Sequence, residues 1–150
     1  MPSLTTTSPT TTPLLTKIPL AYTSNNGMER ISEVILPSLG FSTAALVAPM
    51  LTQLSRSDHP RWLTLVCNQN QAKDISIWLK TTGVVVDKLL LLTAKDDSAC
   101  LHLGEKVLAS GNSHTVVNWI NGQPGKDLME LEQAAVRGNC AGIIIRQRHL

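Results

Sequence analysis

Aromatic side chains are scarce: three Trp, one Tyr and one Phe, 3% of 150 residues. A core of this chain must therefore be built from aliphatic side chains, which the 43% of hydrophobic residues supply. Charge is also sparse, at 16% Asp, Glu, Lys and Arg, below the ~25% of ordinary soluble domains. The formal net charge of +2 is too small to mark a nucleic-acid or acidic-membrane binder by itself. Cysteines are few and odd in number: Cys67, Cys100 and Cys140. That argues against a disulfide framework and for reduced thiols in a cytoplasm. No apolar run approaches the ~18 residues of a membrane span. No basic region followed by an apolar stretch opens the sequence, so no secretory signal is expected. The length suits one ordinary domain.

The first residues, MPSLTTTSPTTT, offer almost nothing to bury and predict a disordered tail over 1–26. Leu14 to Tyr22 carries some apolar residues able to pack or to dock on a partner. The folded domain is expected over 27–150. Ile31 to Leu36 reads as a strand. Ala44 to Ser57 reads as a helix that can start at Pro49, since proline suits a first turn. Arg61 to Cys67 is a strand. Gln71 to Thr82 is a helix ended by Gly83. Of the apolar run Val84 to Thr93, Lys88 to Leu92 is the better strand. Asp96 or Asp97 can cap a helix that runs to about Ser110. His114 to Ile120 is a strand, Asn121 to Gly125 a loop of turn residues, Lys126 to Arg137 a helix and Cys140 to Arg146 a last strand. Alternation of this kind predicts an α/β fold, a mostly parallel sheet with helices on both faces.

Such a sheet raises the question of nucleotides. A phosphate-binding loop needs G-x-x-x-x-G-K-[ST], whose backbone N–H groups cradle phosphate. The nearest approach is Gly125-Lys126. There the earlier glycine position holds Ile120, and Asp127 replaces the hydroxyl residue, a carboxylate that repels phosphate. No G-x-G-x-x-G or G-x-S-x-G occurs. His59, His102, His114 and His149 are scattered, with no partner at a metal spacing. The three cysteines sit at apolar positions, as inert core thiols do. Glu130 and Glu132 fall on a helix surface. No catalytic residues, cofactor or metal ligands emerge, and the chain is not expected to be an enzyme.

What remains is surface. Arg61-Trp62 opens a strand, Trp78 lies in the following helix and Lys88 starts the next strand. On a helical wheel Ala72, Ile75 and Leu79 define the buried face, Trp78 lies about 60° from Ile75, and Ile77 points to solvent. Such a Trp either closes the edge of the core or anchors a protein interface, where Trp and Arg are enriched.

These residues also carry a resemblance. ISEVI, RWLTL, IWLKTTG followed by VDKLLLL, then SHTVVNWI and the closing L-x-E-L-E-x-A-A-x-x-G-N-x-x-G-I-I-I-R, in that order from Ile31 to Arg146, resemble the cell division inhibitor SulA family. Each motif is modest, and the set is specific. The resemblance implies a fold like the RecA core without its nucleotide-binding loop. It implies a bacterial, cytoplasmic protein of the SOS response to DNA damage that binds the tubulin-like FtsZ, stops its polymerisation and GTPase activity, and so halts septation. It implies FtsZ-binding positions at Arg61, Val66 (Leu in some members), Trp78 and Lys88. Some family members carry a longer C-terminal tail, ending in His, that Lon protease recognises. This sequence has Leu150 last and His149 before it, a departure that leaves two alternatives open: no recognition by Lon, or recognition through another segment such as the Thr-rich tail. No nucleic acid or membrane partner is expected, and a homodimer stays open. Two other readings stay alive: a degenerate RecA-like module binding nucleic acid or a recombination partner, and an enzyme whose site is assembled from loops at the carboxyl ends of the strands.

Overall fold

The structure is a computed structural model that describes residues 22–24, 30–36, 46–56, 58–120 and 127–147. Six strands form one sheet: β1 (Tyr22–Ser24), β2 (Ile31–Leu36), β3 (Trp62–Asn68), β4 (Leu89–Ala94), β5 (Ser113–Ile120) and β6 (Ala141–Gln147). Four helices connect them: α1 (Ala48–Ser55), α2 (Gln69–Thr81), α3 (Asp97–Ser110) and α4 (Asp127–Gly138). The strand order is β1-β2-β6-β5-β3-β4. All pairings are parallel except β1 with β2, which is antiparallel. The α/β reading with a mostly parallel sheet is the architecture found. Among the described residues no helix is long and apolar enough to cross a membrane.

The direction of travel sorts the helices. A right-handed crossover can lie on only one face of the sheet for a given direction along it. The chain moves toward β4 through α1 and α2. Both pack on one face, with Val47, Met50, Leu51, Ile75, Trp78 and Leu79 against Leu63, Leu65, Val117 and Ile145. It then returns through α3 and α4 on the other face, where Cys100, Leu101, Leu108, Leu131 and Ala135 meet Val66, Val116 and Ile144. Inner strands covered on both sides are mostly apolar. Accordingly Leu63 to Cys67 and Thr115 to Ile120 are all buried, and of their polar members Thr64 bonds to Ser113 and Asn118 Nδ2 donates to the Cys100 carbonyl at 2.9 Å.

Local chemistry sets the ends. Pro49 sits in the first turn of α1. The helix after β3 starts at Gln69, earlier than the Gln71 expected, because the Asn68 side chain accepts from Asn70 N at 2.9 Å and caps it. The strand thus runs into the helix with no loop between. At the start of α3 the choice between two aspartates falls on Asp96, whose Oδ1 accepts from Ala99 N at 2.8 Å. Gly83 and Gly111 take positive φ, 81° and 78°, where α2 and α3 end, a conformation that costs glycine little. At the end of α4, Gly138 lies so close to α3 that a Cβ would collide with the Leu108 carbonyl.

Two expectations need revision or lie elsewhere. Tyr22–Ser24, placed inside the expected tail, pairs with Glu33 to Ile35 as an edge strand. A three-residue strand carries no periodicity to read. The rest of the 1–26 segment, the 121–125 loop, Lys126 and His149 lie outside the described residues.

Candidate functional site

In a parallel sheet crossed by helices, strand starts and helix C-termini gather along one edge. Here that amino edge collects the beginnings of β3, β4, β5 and β6 and the ends of α2, α3 and α4. Three of the four residues expected to bind a partner belong to it, and each is held differently.

Arg61 points inward. Its Nη1 donates to the carbonyls of Gly111 (3.4 Å) and Gly138 (3.1 Å), and its Nη2 to that of Asn139 (2.9 Å). These carbonyls belong to the C-terminal ends of α3 and α4, where unpaired C=O groups and the helix dipole favour a cation. The guanidinium therefore ties two helices to the start of β3. His59 and His114 lie alongside, their rings 5.3 Å apart, and His59 Nδ1 accepts from Arg61 N at 3.1 Å. Burial holds the His114 pKa below the usual 6.5, and the charges of His59 and Arg61 add to this. Beneath them Thr64 Oγ1 and Ser113 Oγ share a buried hydrogen bond of 2.6 Å.

Trp78, read as a boundary residue, is inside: it is 8% exposed. Its ring meets Trp119 of β5 edge to face, centroids 5.7 Å apart at 82°, an arrangement worth about 0.5–1.5 kcal/mol beyond the buried area. Ile77 beside it does face solvent, as the wheel predicted. Val66 lies deeper still, fully buried in the middle of β3 under α3. Neither residue has appreciable surface to offer a partner, and both support the sheet from which the edge projects.

Lys88 is exposed. Its Nζ donates to the Pro60 carbonyl at 2.6 Å and stands 5.3 Å from the centre of the Trp62 ring, a cation–π distance. Trp62, noted in the sequence only as the neighbour of Arg61, is thus the half-buried aromatic at this edge. A signal for it existed: two parallel strands that begin with Trp and Lys place those side chains next to each other.

The remaining chemistry is muted. Burial lifts all three cysteine thiols to about 11, so they stay protonated near neutral pH. A cleft between α3 and α4 is lined by Ser98, His102, Glu105, Asp127 and Glu130. Among the described residues no group of three or more His, Cys, Asp or Glu is arranged to hold a metal ion.

Comparison with known proteins adds the following. The family model described as "Cell division inhibitor SulA" matches residues 30–142. The cell division inhibitor SulA of Pseudomonas aeruginosa is 36% identical over 115 residues, which is 77% of this chain and 70% of that protein. The SulA of Serratia marcescens is 31% identical over 121 residues, 81% of this chain and 68% of that one. The crystal structure of SulA from Pseudomonas aeruginosa superposes with a TM-score of 0.71 at 35% identity, covering 79% of this chain and 98% of that one.

Proposed function

This chain belongs to the SulA family of cell division inhibitors, and from that membership we propose that it stops division by binding FtsZ when DNA is damaged. The match over residues 30–142 carries the reading, since it spans β2 to β5, all four helices and the start of β6. Action is by occupancy. A filament of head-to-tail subunits grows only while the receiving face of its end subunit is open. Where the GTPase site is shared between neighbours, covering that face also withholds the residues that complete it. An inhibitor of this kind needs a rigid surface and no reaction of its own, and its potency is limited by its concentration and affinity.

The fold supports such a task. The amino edge is braced by Arg61 on two helix ends and by the Trp78–Trp119 contact beneath α2. A surface held in place before binding loses little conformational freedom on docking. On this reading, substitution at Val66 or Trp78 would act through lost support of the edge, since both are buried, while Lys88 touches the partner. Sedimentation of FtsZ polymers in GTP tests the proposal: the purified chain leaves FtsZ in the supernatant, and undiminished pelleting in its presence would count against it.

A further inference from the structure

Two histidines lie against the Arg61 tie at the amino edge. The rings of His59 and His114 are 5.3 Å apart, tilted by 38°. They come from different elements: His59 from the segment leading into β3, His114 from the start of β5. His59 Nδ1 accepts from Arg61 N at 3.1 Å, so that nitrogen carries a lone pair and the neutral ring holds its proton on Nε2. Protonation puts a hydrogen on Nδ1, sets two donors face to face and ends this bond. His114 Nδ1 lies 2.9 Å from Thr115 Oγ1, a hydroxyl that serves either protonation state. Exposure differs as well: His59 is exposed and His114 is half-buried.

The charges that bear on His114 are those of His59 and Arg61. Arg61 is always a cation and is fixed by three carbonyls. A proton arriving on either ring therefore adds a charge beside one that cannot leave. Among the other titratable groups of this edge, Arg30 is bonded to Glu132 through its backbone N–H and to Asn139 through Nη1. Lys88 donates to the Pro60 carbonyl, the Cys140 thiol stays protonated, and Asp58, Asp87, Lys106 and Arg137 are exposed.

We propose that His59 and His114 form a proton switch that frees the 58–61 segment from the amino edge on acidification. His114 is held in the sheet, so the exposed His59 ring is the one that swings to solvent. Arg61 N then loses its acceptor, and the segment that carries it also carries Pro60, the acceptor of Lys88. The switch works as the pH falls below about 6.5, where histidine takes up its proton. Its bearing on inhibition rests on the FtsZ reading above, whereas the switch itself does not.

Amide hydrogen exchange of the full chain alone tests it. The Arg61 and Trp62 amides bond to His59 Nδ1 and to the Asn112 carbonyl. Referred to the unstructured rate at each pH, their protection falls about tenfold or more between about pH 7.5 and about pH 5.5. The Cys100 amide, bonded to the Asp96 carbonyl at the far end of α3, keeps its protection. His59→Asn offers a carboxamide oxygen in place of Nδ1 that does not titrate, and His114→Asn removes the half-buried charge. Each variant keeps the Arg61 and Trp62 amides protected in acid. Unchanged protection of these two amides in the parent overturns the proposal. So does an equal loss at Cys100, which reports opening of the whole domain, and so does the parental loss persisting in both variants. FtsZ is absent from the sample, so failure of the switch and failure of the FtsZ reading are told apart.

Discussion

Two pairs of residues near β3 make an instructive contrast. Val66 and Trp78 are interior: one fully buried in the sheet, the other packed edge to face on Trp119. Trp62, half-buried at the start of β3, and Lys88, exposed just before β4, lie at the edge instead, where the Lys88 ammonium stands 5.3 Å from the Trp62 ring centre and donates to the Pro60 carbonyl. Substitution would therefore act by two physical routes. In the first pair it removes packing that the fold needs, and in the second it removes surface groups and leaves the core intact. A residue's sensitivity does not locate an interface until its burial is known.

The contrast sharpens most at Trp78. Trp78→Ala removes a large buried ring and leaves a cavity, so stability in urea should fall by about 3–5 kcal/mol. A folded Trp78→Ala of near-parental stability that fails to inhibit FtsZ would break the distinction. Arg61→Ala ranks next. Three carbonyls lose a charged donor, and about 1–3 kcal/mol should go, read again from urea midpoints. Arg61→Lys should recover only part, because one ammonium cannot span the fork. Asp96→Ala, which removes the α3 cap, should cost about 1 kcal/mol and leave FtsZ binding intact. The smallest effect on stability belongs to Lys88→Ala, within about 0.5 kcal/mol as for other surface changes, although it weakens the partner contact.

Acid offers a separate probe of the amino edge. The folded state holds the His114 pKa below 6.5, so the unfolded chain takes up the proton first. Stability from this group is full above about 6.5 and is lost as the pH falls through that value toward the folded pKa. Thermal unfolding from pH 8 to pH 5 should show that decline, and His114→Asn should flatten it. An unchanged slope in the variant would assign the pH dependence elsewhere.

The sheet and its helices were legible because both faces of the inner strands are covered, so each appears as a mostly apolar run, with Thr64 and Asn118 the polar interruptions. Glycines at 83 and 111 mark helix ends for a local reason of their own, the positive φ that each adopts. Other features depend on distant partners. Nothing near Arg61 announces that its guanidinium reaches carbonyls 50 and 77 residues away. A wheel angle of 60° cannot separate an edge Trp from a core Trp, since Trp119 of β5 decides it. The strand at Tyr22–Ser24 pairs antiparallel with Glu33 to Ile35, and three residues leave no pattern to read. Trp62 was within reach as a neighbour of Lys88, since Trp opens β3 and Lys immediately precedes the neighbouring parallel strand β4.

The central claim is inhibition by occupancy, and titrating the GTPase activity of FtsZ with this chain tests it most directly. The account predicts that activity falls in proportion to added protein and vanishes near equal concentrations, with no effect of preincubation time. GTPase activity that persists at several-fold excess of folded chain, or that is abolished by a trace of it, would contradict the account.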